Sequence, residues 1–369
     1  MFHHVFLITV SQQVSLEFLG AFVKGVHYPC YYLLSPKNPY AAIENSSLIS
    51  PFRTPNSNTK LQGYADDTNL ILSDDQSIIE ALKLVKSFET ATGASLNIKK
   101  TKIFGIGQWK RRTIWPISNV LIQIDCMSVL GIKFCNEFEE SVNICWSEAL
   151  TRISNKIATM HNRNLTLFQR SVLVNSLLTS QIWYYAQTYP LPLYWSKKIN
   201  VLLYKFIWIT NSEPIARSTL NLDRDMGGLS VINILVKSES IFAYRMLKQF
   251  MDDENQLSLV TYFNSLRVNP MLNIRTLPIN VAYVNTSYYN KGITTIRKCM
   301  RLNSFPNISS RIIYSHLLVK QMPKIQEQYP LYNWKHIWGN LQFKFIPINT
   351  REVMFKYLHE ILPNKCRLK

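Results

Sequence analysis

The sequence predicts an α+β fold, with an antiparallel hairpin and a companion helix early in the chain and a mainly α-helical remainder. Three observations predict it. Strand signals fall at 61–72, 95–98 and 129–134, with turn residues between them. After about Glu139 the apolar residues recur at helical spacing. Hydrophobic residues make up 47% of the chain, ample for a packed core.

The elements follow in order. Residues 1–60 show no sustained period, and Pro29, Pro36, Pro39, Pro51 and Pro55 interrupt them. A hairpin is expected at about 61–72. Ser73-Asp74-Asp75 then offers a helix N-cap. Ile78, Ile79, Leu82, Val85 and Phe88 follow at helical spacing, and Gly93 supplies the stop. Ser95–Ile98 alternate as a strand before Lys99-Lys100-Thr101-Lys102, and Val129–Phe134 reads as a short strand containing Gly131. Helices are expected over 139–161, over 167–187 after Leu165-Thr166, and over 194–209 beyond Pro190 and Pro192. A loop from Glu213 leads to Gly227-Gly228-Leu229 and a helix at 235–251. Residues 255–310 read as irregular and Asn-rich, and 311–322 and 350–361 as helical. No repeat or low-complexity tract appears.

The formal net charge is +18, and it is segregated. Residues 1–150 hold 13 Lys+Arg against 13 Asp+Glu; residues 151–369 hold 28 against 10. Such an excess suits a polyanionic partner, most simply nucleic acid, or else is a solubilising surface. The six cysteines, at 30, 126, 135, 145, 299 and 366, form no C-x-x-C pair and no zinc spacing. Buried free thiols in a reducing compartment are expected. No apolar run approaches the ~18 residues that span a bilayer, so no membrane is expected. Val5–Val10 is too short for a signal peptide. Lys110-Arg111-Arg112 is too short for a nuclear-import signal, which leaves nuclear and cytoplasmic sites both open.

Tyr64-Ala65-Asp66-Asp67 stands at the hairpin tip. Two adjacent carboxylates there are either a solvated turn, where Asp is common, or half of a divalent-metal site. Holding Mg²⁺ against nucleotide phosphates needs that geometry plus a third carboxylate from a neighbouring strand.

The flanks carry a resemblance. Gly63–Leu72 (GYADDTNLIL), one amphipathic helix, Gly93–Lys102 (GASLNIKKTK) and Val129–Phe134 (VLGIKF) resemble, in order and spacing, the palm of reverse transcriptases of LINE-type, non-LTR retrotransposons. Asn164–Arg170 (NLTLFQR), Trp183–Pro192 (WYYAQTYPLP), Phe206–Trp208 (FIW), Ile215–Leu220 (IARSTL) and Gly227–Ile234 (GGLSVINI) resemble its thumb and post-thumb. Trp334–Trp338 (WKHIW) and Arg351–Leu368 resemble the stretch before its C-terminal zinc knuckle. The likeness covers about 60–369. Group II intron maturases and telomerase are weaker matches. The resemblance divides the chain into a degenerate finger/palm junction (1–60), an incomplete palm (61–136), a helical thumb (137–212) and a post-thumb region (213–369).

The resemblance implies RNA-templated DNA synthesis with Mg²⁺ or Mn²⁺, dNTPs, an RNA template and a DNA primer or target. Asp66 and Asp67 would be metal-ligating and catalytic. Tyr64 and Ala65 would lie beside the nucleotide and primer end, Lys100 near the pyrophosphate, and Gly131 in the primer-grip hairpin. Arg163, Arg170, Lys197, Lys198 and Lys205 would meet the nucleic-acid backbone. Trp183, Tyr184, Tyr185, Trp195, Tyr204, Phe206 and Trp208 are stacking platforms or, at this helical spacing, core. Asn233 and Gly227-Gly228 read as cap and turn.

Three departures qualify this. Residues 1–60 contain no Asp, only Glu17 and Glu44, so the family's first catalytic aspartate has no counterpart. Gly25-Val26-His27-Tyr28-Pro29-Cys30-Tyr31-Tyr32 stands where the family carries a motif close to G-V-R-Q-G-C-P-L-S-P. The chain stops at Lys369, before the knuckle, and Cys366 is not at a ligand position. The expectation is a fragment of a longer polyprotein with weak or no polymerase activity; the alternative is a non-catalytic RNA- or DNA-binding remnant.

Overall fold

The structure is a computed structural model that describes residues 5–13, 39–53, 58–64, 67–92, 95–117, 119–160, 163–251, 287–299 and 308–362. The His27–Tyr32 segment, Ala65, Asp66 and Cys366 lie outside them. The chain divides into two compact units, one within Met1–Asn143 and one built from Ile144–Asp252 and Tyr262–Lys369. Its class is α+β, mostly helical.

In the first unit the strands are β1 (Val5–Gln13), β2 (Phe52–Arg53), β3 (Asn58–Thr59), β4 (Leu61–Tyr64), β5 (Asp67–Leu72), β6 (Ser95–Leu96), β7 (Lys102–Ile106), β8 (Leu121–Gln123), β9 (Cys126–Val129) and β10 (Ile132–Cys135). The helices are α1 (Pro39–Asn45) and α2 (Asp75–Thr92). The main sheet runs β4-β5-β1-β7-β8, with β6 also paired to β1. β1 is therefore central, although its segment carries no strand signal in the sequence. Its antiparallel partners, β5 and β7, lie some sixty to a hundred residues away.

α2 packs its apolar stripe on this sheet. Ile78, Ala81 and Val85 bury against Leu70, Leu72 and Ile103, with Ile43, Ile49 and Trp115 closing the cluster. Asp74 caps α2, its Oδ1 accepting the Ser77 N–H at 2.7 Å. Arg112 pins the following loop. Its guanidinium donates to both Asp75 carboxylate oxygens at 2.8 and 2.7 Å and stacks 4.2 Å over Trp109.

Val129–Phe134 is not one strand. β9 and β10 pair as a hairpin, Val129 opposite Ile132. Leu130 (φ 49°) and Gly131 (φ 79°) form the two-residue turn, both in the left-handed region that such tight hairpins require. The same register sets Cys135 opposite Cys126, and the two form a disulfide. The expectation of free thiols thus holds for Cys145 and Cys299, both buried, and fails for this pair.

α3 (Phe138–Met160) carries the chain into the second unit. There follow α4 (Leu167–Leu173), a π-helical segment Val174–Leu178, α5 (Ser180–Thr188), α6 (Leu193–Trp208), α7 (Arg217–Leu220) and α8 (Ile234–Met251). α9 (Ser287–Cys299), α10 (Ser310–Leu317), α11 (Lys324–Gln328), α12 (Trp334–Asn340) and α13 (Ile348–Leu358) complete it. Thr166 and Gln169 form a capping box on α4. Asn175, in the π segment, donates to the Ser230 carbonyl at 2.7 Å and accepts the Ile232 N–H at 3.0 Å. Asn233 is the cap of α8, as its Oδ1 accepts the Val236 N–H at 3.2 Å.

The Gly227-Gly228 pair has a steric reason. Gly227 adopts φ 87°. A Cβ on Gly228 would sit 2.0 Å from the Leu222 carbonyl oxygen. α9 lies inside the stretch read as irregular. It packs on α8 through Ile293 and Ile296 against Phe242, Met246 and Leu247, with Gly292 letting the Met246 sulfur approach. Among the described residues no helix is long and apolar enough to cross a membrane.

Candidate functional site

The carboxylate hairpin follows from its local sequence. β4 and β5 pair antiparallel, Leu61 with Leu70 through to Tyr64 with Asp67. β4 ends at Tyr64 and β5 begins at Asp67. β5 is anchored by Leu70 and Leu72 in the core below α2 and by buried Thr68 and Asn69. Asp67 is thus the first residue of a strand held in place along its length.

β1 flanks β5 on the other side, and its register sets Ser11 opposite Asp67. On the far edge of β1, Leu96 pairs with Gln12 and Lys102 with Thr9. The chain between them turns through Asn97–Thr101, where the Lys100 N–H donates to the Asn97 carbonyl at 3.0 Å. Lys100 is exposed in that turn. Asp67 and Lys100 therefore share one end of the sheet. β1 runs between them.

The sheet strands are VFLITVSQQ, LQGY, DTNLIL, SL, KIFGI and LIQ. Asp67 is the sole carboxylate among them. The third acid that a two-ion centre takes from a neighbouring strand has no candidate in β1, where Ser11 stands. Among the described strand residues of this sheet, Asp67 is the one anionic hard-oxygen donor of the type Mg²⁺ takes.

In the second unit the expected backbone-contacting cations divide. Arg163, Lys197, Lys198 and Lys205 are exposed. Arg170 is only 7% exposed. Its guanidinium donates to the Ile207 carbonyl at 2.7 Å and to the Leu165 carbonyl. Burial lowers its pKa, opposed by the charge of Glu352. Arg170 ties α4 to the end of α6, its guanidinium spent on backbone carbonyls.

α6 shows how those cations are presented. Ser196, Ile199, Leu203, Tyr204 and Ile207 form its buried face. Tyr194, Lys198, Val201 and Lys205 recur at steps of three and four residues along the exposed face. The Lys198 ammonium lies 4.4 Å over the Tyr194 ring. Tyr194 is 59% exposed, and its i,i+4 spacing to Lys198 is the sequence signal for this pair. Of the aromatics named there, Tyr185 and Tyr204 are buried, Trp183, Trp195, Phe206 and Trp208 half-buried, and Tyr184 exposed.

A second group of ligand atoms escaped the sequence reading. Cys126, Cys135 and Glu140 bring two sulfurs and a carboxylate oxygen within 4.8 Å of one another. Hairpin register and the start of α3 assemble them, which residue spacing alone does not reveal. No family model matches this chain, and no curated protein is similar to it.

Proposed function

We propose that this chain is a palm-and-thumb portion of a LINE-type reverse transcriptase. Its basic second unit holds an RNA template and DNA primer or target, and its carboxylate hairpin supports nucleotidyl transfer weakly or not at all. The observation that carries the catalytic half is the pairing of Asp67 with Ser11, in a sheet whose strands bear no other carboxylate. Asp66 and Asp67 would hold Mg²⁺ or Mn²⁺ at one corner, and the dNTP would be the substrate of any residual transfer. Losing one electrostatic group of a reaction centre costs ~3–4 kcal/mol, or roughly two to three decades of rate.

The binding half is supported by charge and by α6. Residues 151–369 hold 28 Lys+Arg against 10 Asp+Glu. Lys198 and Lys205 stand on one exposed face, ~10 Å apart along the helix axis, with Tyr194 at its start. Cations so placed neutralise phosphates without reading bases, and an exposed tyrosine offers a ring to an unpaired base. A purely binding role without chemistry is the second reading, favoured by the same missing acid.

The test is fluorescence anisotropy of a labelled RNA–DNA hybrid across a salt series. Binding should weaken linearly in log–log form as salt rises. Lys198→Glu with Lys205→Glu should reduce the slope by about two. Absence of salt-sensitive binding at low ionic strength would remove the binding half of the proposal.

A further inference from the structure

We propose that the β9–β10 hairpin and the first turn of α3 form a thiol-gated site for a soft divalent cation of the Zn²⁺ type. Cys126, Cys135 and Glu140 are its ligands once the disulfide is reduced. This goes beyond the polymerase reading and does not depend on it.

The two cysteines occupy a special register. Asn136 donates its N–H to the Asp125 carbonyl at 3.1 Å, while the Cys135 N–H turns outward to Ser141 Oγ at 2.8 Å. Cys126 and Cys135 are therefore a non-hydrogen-bonded antiparallel pair, the arrangement in which facing side chains come closest. Either a disulfide or two thiolates sharing one ion fits there. α3 begins at Phe138 and lays Glu140 in its first turn, where the helix N-terminus favours negative charge.

Tetrahedral Zn²⁺ takes sulfur at ~2.3 Å and carboxylate oxygen at ~2.0–2.2 Å, which sets ligand atoms roughly 3.5–3.8 Å apart. The three ligand atoms lie within 4.8 Å of one another with the sulfurs bonded at 2.00 Å, so after reduction the sulfurs need to separate by roughly 1.8 Å to reach that spacing. Lys110, Arg111, Asp125, Asn136 and Glu137 line the same depression as Glu140. Lys110 is neutralised there by Glu137 at 3.0 Å. Water completes the fourth position. Soft sulfur with one carboxylate selects zinc-like ions over Mg²⁺, which demands oxygen ligands.

The gate is a balanced exchange. A dithiol reductant gives two electrons to the Sγ–Sγ bond and two protons to the separated sulfurs, and itself closes to a disulfide. The cation then displaces both thiol protons as it binds.

The test uses the full chain and Co²⁺ as a spectroscopic probe. Metal-free protein is compared oxidised and after reduction with a dithiol that is then removed anaerobically. The reduced protein should take up one equivalent of Co²⁺ with a thiolate-to-cobalt charge-transfer band, which Zn²⁺ abolishes; the oxidised protein should show none. Cys126→Ser should remove the band, and Glu140→Gln should keep it with affinity about tenfold weaker. The same band in oxidised and reduced protein, no band in the reduced protein, or a band unchanged in Cys126→Ser would each overturn the proposal. The oxidised–reduced comparison needs no variant, so a misfolded mutant does not blunt it.

Discussion

Replacing Arg170 with methionine separates a structural arginine from a phosphate-binding one. The guanidinium donates to two carbonyls, those of Ile207 and Leu165, in a site 7% exposed. Hydrogen bonds from a charged donor contribute about 1.5–3 kcal/mol each, and buried acceptors left empty pay desolvation as well. Methionine keeps most of the aliphatic stem, so the loss is polar. Two such bonds give a cost of about 3–6 kcal/mol. For a unit of this size each kcal/mol moves Tm by about 2–4 °C, so Arg170→Met should lower the second unit's transition by about 10 °C. Glu352 stays satisfied by the Leu167 N–H at 2.9 Å and by Lys356 at 2.6 Å, which limits the damage. The assay pairs calorimetry with anisotropy on the RNA–DNA hybrid well below the transition. Binding should remain within about twofold of wild type. A variant that melts normally and loses binding would refute the inward assignment of Arg170.

Other expectations follow from single contacts. His359 donates from Nε2 to the Gly227 carbonyl at 2.9 Å, and burial pushes its pKa down from 6.5 to about 4. The unfolded chain binds this proton first as pH falls. The stability is therefore full above pH ~6.5 and lost progressively down to ~4, by about 3 kcal/mol; His359→Phe should show a flatter Tm–pH curve over that window. Gly228→Ala, whose Cβ would lie 2.0 Å from the Leu222 oxygen, should cost more than about 2 kcal/mol in thermal melts. Gly339→Ala, with nothing within 4 Å and in a helix, should raise stability by about 0.5–1 kcal/mol.

Local signals carried much of the fold. The helices read at 139–161, 194–209 and 235–251 occur at Phe138–Met160, Leu193–Trp208 and Ile234–Met251, because each has a long apolar stripe. Asp74, Thr166 and Asn233 are caps because a short side-chain oxygen meets a free helical N–H whatever the tertiary context. What failed was non-local. β1 has its partners more than fifty residues away, and no window contains that information. α9 holds Gly292, Thr294 and Thr295, poor helix formers, and it is supported by packing on α8. The helix expected over 311–322 stops at Leu317, several residues before Pro323. Cys126 and Cys135 meet through a turn in which Leu130 takes an unusual positive φ, so the residue pattern alone showed one strand where there are two, although the resemblance implied a hairpin at Gly131. At the candidate site the motif itself was legible. The identity of its neighbour was not: only the register shows that Ser11 stands beside Asp67.

Primer extension on poly(rA)/oligo(dT) with purified full-length chain, Mg²⁺ and dTTP tests the central claim most directly. A sheet whose only strand-borne carboxylate is Asp67 predicts no extension above a trace, with hybrid binding intact in the same samples. Robust Mg²⁺-dependent extension that Asp66→Ala abolishes would contradict it.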